Sequence, residues 1–120
     1  MPVSYIEYKG KEILFINLKD MSEQPQLIDD GIEAARIIKE RNERLLFLCD
    51  FTNASVGTQF MSRIKDDGKY ILKNIPIKTA VTGITGLKNI LIQGYIKFTD
   101  SKLRIFDTLE EAQEYLVDGE

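Results

Sequence analysis

Histidine is missing from this 120-residue chain, and its absence excludes more chemistry than any motif admits. The usual general base near neutral pH is gone. Ser-His-Asp and Cys-His catalysis cannot be built. A single cysteine, Cys49, allows neither an internal disulfide nor a thiolate cluster for zinc. Long apolar runs are missing as well: nothing approaches the roughly 18 residues of a spanning helix. The opening MPVSYIEYKGKE lacks the charged, apolar and small-residue regions of a signal peptide. There is no basic excess. Sixteen Lys and Arg face 19 Asp and Glu, for a net charge of −3, and the cations are scattered rather than clustered. These absences predict a soluble, cytoplasmic protein without a membrane span, nucleic-acid partner, metal or resident cofactor. A non-enzyme is expected, since only carboxylate or lysine chemistry, or a cofactor from outside, would be left.

What is present is ordinary globular material, 43% apolar and 29% charged, in a length that fits one domain over residues 1–120. Val3 to Tyr8 and Glu12 to Leu18 read as strands joined at Lys9-Gly10-Lys11, a hairpin. A helix is expected from about Pro25 to Asn42, with Ser22 or Glu23 before it. Leu45 to Phe51 is almost uninterrupted apolar sequence and fits a strand buried on both faces. Phe60, Met61, Ile64, Gly68, Ile71, Leu72 and Ile75 then mark one face of a second helix. Gly68 within that face predicts close approach to the sheet, and Pro76 ends the helix. Ile77 to Ile84 is a fourth strand, followed by a third helix ending near Phe98. Leu103 to Phe106 is a short fifth strand. Asp107 or Thr108 caps the last helix, with Glu110 or Glu111 completing a capping box. Val117 to Glu120 is a candidate tail. The order β-β-α-β-α-β-α-β-α predicts an α/β fold: a five-stranded, mostly parallel sheet with an N-terminal hairpin and four helices. Four parallel strands in sequential order are expected, with the first strand antiparallel at the edge.

Ligands of open α/β sheets tend to bind beyond the carboxyl ends of the strands. Asp50, Thr52, Asn53 and Ser55 fall in that zone and are the first candidate binding residues. Asp50 has a structural reading too, accepting backbone N–H groups of Asn53 to Val56 to fix the turn. That reading is preferred. Cys49 reads as a small buried hydrophobe. Gly83, Thr85, Gly86 and Lys88 form a possible anion-binding turn at a helix start. They match no Walker loop, and a tight turn with Thr85 as N-cap is the preferred account.

Several phrases resemble the SpoIIAA-like proteins, a branch of the STAS domains that includes anti-sigma-factor antagonists. They are YKGKEILFINL, LLFLCDFTNA, TAVTGITGLKNILIQGYIKF and LRIFDTLEEAQEYL, together covering most of the chain. The resemblance implies a (βα) superhelix related in shape to CRAL-TRIO lipid-carrier domains. The Asp-Ser-Ser-Gly segment of the antagonists has no counterpart. The region reads Thr52-Asn53-Ala54-Ser55-Val56-Gly57, so no phosphoserine is carried over to Ser55 or to Thr58.

In the third helix, Leu87, Ile90, Leu91, Gly94, Tyr95 and Phe98 are expected to face the core. Ile92 and Ile96 then lie off that face, predicting a second contact: a neighbouring helix, a homodimer partner or a pocket wall. Two functions follow. One is a STAS-type regulatory module acting through protein contacts or a homodimer. The other is a carrier or sensor of an apolar small molecule or lipid between the sheet and the second and third helices. A cavity lined by Phe60, Ile64, Leu91 and Tyr95 would favour the carrier. A packed core with exposed Ile92 and Ile96 would favour the module.

Overall fold

The structure is a computed structural model that describes residues 3–99 and 103–119. Nine elements follow in the expected order. They are β1 (Val3–Tyr8), β2 (Lys11–Asn17), α1 (Gln24–Arg41), β3 (Leu45–Asp50), α2 (Thr58–Asn74), β4 (Ile77–Thr82), α3 (Leu87–Thr99), β5 (Arg104–Phe106) and α4 (Leu109–Val117). The strands form one sheet in sequential order, β1 antiparallel to β2 and the rest parallel. Lys9 and Gly10, both at positive φ, make the two-residue hairpin turn between β1 and β2. The expected tail is in part helical, with α4 reaching Val117, and Glu120 lies outside the described residues.

β3 sits at the centre, with β2 and β4 on either side. Its apolar run serves two cores at once. Leu45, Cys49 and the following Phe51 enter one buried cluster with β2, α1, α2 and α3. Leu46 and Leu48 point the other way and join Ile13, Ala80, Ala112 and Leu116 under α4. Three helices therefore cover one face of the sheet and a single helix the other. α2 packs chiefly on α1 and α3, while α4 lies directly on β3, β4 and β5.

Local chemistry sets the helix ends. Pro25 occupies the first turn of α1, behind Glu23 at the N-cap. Thr108 caps α4, accepting the Glu111 N–H at 3.1 Å, and its hydroxyl donates to the Glu111 carboxylate. Tyr8 donates to Glu114 at 2.6 Å, tying the hairpin to α4. Among the described residues, no helix is long and apolar enough to cross a membrane.

Candidate functional site

Two features stand out: a tied set of loops at the carboxyl end of the sheet and, between its face and the helices, an apolar cavity.

Asp50 ends β3 and is only 3% exposed. Its Oδ1 accepts the Thr52 N–H at 3.0 Å, the Thr52 hydroxyl at 2.6 Å and the Thr82 hydroxyl at 3.1 Å. The first bond is an Asx turn, closing two residues on rather than reaching the Asn53 to Val56 amides expected from the sequence. The last spans from β3 to β4. Gly83, at positive φ, follows Thr82 and lies so close to Thr52 that a Cβ there would collide with the Thr52 backbone. The Phe51 N–H donates to the Thr82 carbonyl at 2.9 Å. Asn53, also at positive φ, donates from its amide to Asp20 at 2.8 Å. The Ser55 N–H donates to the Met21 carbonyl, and the Ser55 carbonyl accepts from Gln24. The loops after β2, β3 and β4 are thus one hydrogen-bonded unit.

The turn before α3 is built differently from expectation. Thr85 is not the N-cap: α3 begins at Leu87, and the Thr85 carbonyl, not its hydroxyl, takes the Lys88 N–H at 3.1 Å. Gly86 has positive φ and open space around it. Lys88 points inward, its amine donating to the Phe51 carbonyl at 3.0 Å. It works as another tie between loops.

The helix faces also differ. Ile92, expected off the core face, is 3% exposed and belongs to the core, with Leu91, Tyr95 and Ile96 packed beside it. Ile90 and Phe98, expected inside, are exposed, and Gly94 faces open space. The Leu87 side chain lies outside the described residues. The inward face is turned about a quarter of the way round, at about 100° per residue. Gly68 allows close approach, but to α3 rather than to the sheet. A Cβ at Gly68 would run into the Tyr95 hydroxyl. Burial raises the Tyr95 pKa to about 12, so the phenol is neutral at physiological pH.

Between the sheet and α1–α3 lies a cavity of about 100 Å³. Its helix side includes Gly31, Ala34, Phe60, Ile64, Ile92 and Tyr95. Cys49 and Val81 come from the strands, and Asp67 is the one charged group on the wall among the described residues. Burial pushes the Cys49 thiol well above its usual range and keeps it protonated. Asp67 is ion-paired with Lys39 across α1 and α2. Phe60 packs edge-on against Phe51, centroids 6.1 Å apart. The expected residues Phe60, Ile64, Ile92 and Tyr95 share this wall, whereas Leu91 and Ile96 pack nearby without lining it. The sequence reading missed Gly31, Ala34 and Ala35, which also line the space. The signal was there: small residues at helical spacing on α1 leave volume where larger ones would fill it.

No family model, curated protein or solved structure matches this chain.

Proposed function

We propose that the chain is a non-enzymatic carrier or sensor that holds a small apolar molecule, or the end of a lipid chain, between the sheet and α1–α3. The cavity of about 100 Å³ behind Phe60, Ile64 and Tyr95 carries this reading. Apolar cavities of about 150 Å³ stay dry and take benzene-sized guests, so a group of a few carbons suits this one. The loop set around Asp50 has a structural role beside it: Asp50 Oδ1 and the Lys88 amine tie the loops to one another. A regulatory module working through protein contacts ranks second, because it drew on Ile92, which is part of the core. Membership of the SpoIIAA-like group, and a cytoplasmic setting, are proposals that go with either reading.

Two measurements test the carrier. Native mass spectrometry of protein purified from its own host should show a small adduct. Thermal unfolding under xenon, a smaller apolar guest, should show a raised midpoint, about 2.7 kcal/mol of stabilisation at a hundredfold excess over Kd. Ala34→Leu, which extends a side chain into the space, should abolish both signals while leaving unliganded stability equal or higher. Destabilisation by overpacking, with xenon binding unchanged, would show that the space is not a site.

A further inference from the structure

The outer face of α3 carries apolar side chains that are exposed to solvent. Ile90 is 68% exposed and Phe98 43%. Gly94 lies between them with nothing near the position of a Cβ. At about 100° per residue, positions 90, 94 and 98 form one stripe, with Lys97 on the flank beside Ile90. On the other flank, α2 places the Lys65 and Lys69 amines 5.2 and 4.9 Å from the centroid of the Phe98 ring. α3 itself has no Asp or Glu. Of the acids on α2, Asp67 is paired with Lys39 and Asp66 is exposed. Among the described residues, Lys65, Lys69 and Lys97 are in no ion pair.

We propose that this stripe docks the protein on an anionic membrane surface. Ile90 and Phe98 enter the boundary between headgroups and acyl chains, and the three lysines meet anionic headgroups. Shape favours a bilayer over a protein partner. Protein interfaces seat their anchors in packed pockets, whereas here the apolar side chains project beside a bare glycine. A fluid bilayer accepts projecting side chains. Charge disfavours a second copy: a two-fold pairing of this face would set Lys65, Lys69 and Lys97 against their equivalents. The net charge of −3 makes the attraction local to this face, and therefore sensitive to salt. The proposal stands without the cavity.

Co-sedimentation with vesicles decides it. The full chain should pellet with phosphatidylcholine vesicles containing phosphatidylserine, less so as salt rises, and not with phosphatidylcholine alone. Replacing Lys65, Lys69 and Lys97 by Ala should weaken binding by about a hundredfold, at roughly fivefold per basic residue. Ile90→Ser with Phe98→Ser should abolish it while circular dichroism stays unchanged, both side chains being exposed. If that pair alters the fold, the lysine variant decides alone. Wild type that ignores anionic vesicles, binds both kinds equally, or binds no better than the variants overturns the proposal. So does a wild-type dimer that the serine pair converts to a monomer, which assigns the face to a second copy.

Discussion

Three donors converge on one oxygen at residue 50, and two of them come from a single neighbour, Thr52. Asp50→Ala removes that acceptor, and the Thr82 hydroxyl that loses it is buried while Thr52 is exposed, so a loss of about 1–3 kcal/mol is expected. A denaturant midpoint measured on both proteins checks it, and an unchanged midpoint would remove Asp50 from the framework of the fold. The sequence made Asp50 legible as a turn residue but not its partners, because Thr82 is contributed by a strand that only the fold brings alongside. Asp30 was not legible at all. It lies on the buried side of α1, one oxygen accepting from Gln26 at 3.0 Å and the other, Oδ2, without a partner. Burial raises its pKa; Asp29 adds to the rise, and the Gln26 amide opposes it. The folded state thus holds its proton more tightly than the unfolded chain. Between the two pKa values the folded state binds more protons, so stability falls as pH rises and the penalty is complete above the folded value. Asp30→Asn should stabilise at neutral pH by about 1 kcal/mol, the lower range for a buried acceptor without a donor. The gain should disappear as pH drops below the ordinary carboxyl range. A difference in melting temperature that does not change with pH would contradict this.

α2 and α3 show how neighbours set the phase of a helix. Nearly every side of α3 carries an apolar residue, from Ile90 through Leu91 and Ile92 to Tyr95, Ile96 and Phe98. Periodicity therefore offers no unique inward face, and Gly94, expected on the core face, is open. The contact that decides belongs to α2: Gly68 receives the Tyr95 hydroxyl, which turns Ile92 inward and Ile90 out. α2 was easier, because Phe60, Met61, Gly68 and Ile71 are buried along one side and charges hold the other. Gly68→Ala should cost about 1–3 kcal/mol through overpacking. Adding Tyr95→Phe should make the double variant less unstable than the two single losses combined, since it removes the nearest of the colliding atoms. Additive losses in urea unfolding would show that the two residues do not press on each other.

Across the whole molecule, the order of elements and strands was legible because each βα unit carries its own period and turn chemistry. The cavity was not, since volume is a property of three helices together. Leu46 to Cys49 lie in the central strand, between two cores, so their amides should exchange hydrogen most slowly. Those of the edge strand β1 should exchange sooner. The reverse order in native-state exchange would mean that the hairpin, not β3, is the most stable part of the fold. One consequence of the two-sided core concerns folding fidelity. A strand with one polar face cannot slip by a residue without burying polar groups. β3 has no such safeguard, because Leu45, Phe47 and Cys49 could exchange places with Leu46 and Leu48 and every one would still be apolar. Its only polar residue is Asp50, opposite Asn17 on one side and Thr82 on the other. The bond to Thr82 can form only when the two strands are aligned as observed. A side chain at the very end of β3 thus favours the observed alignment of β3 with β4 over one shifted by a residue.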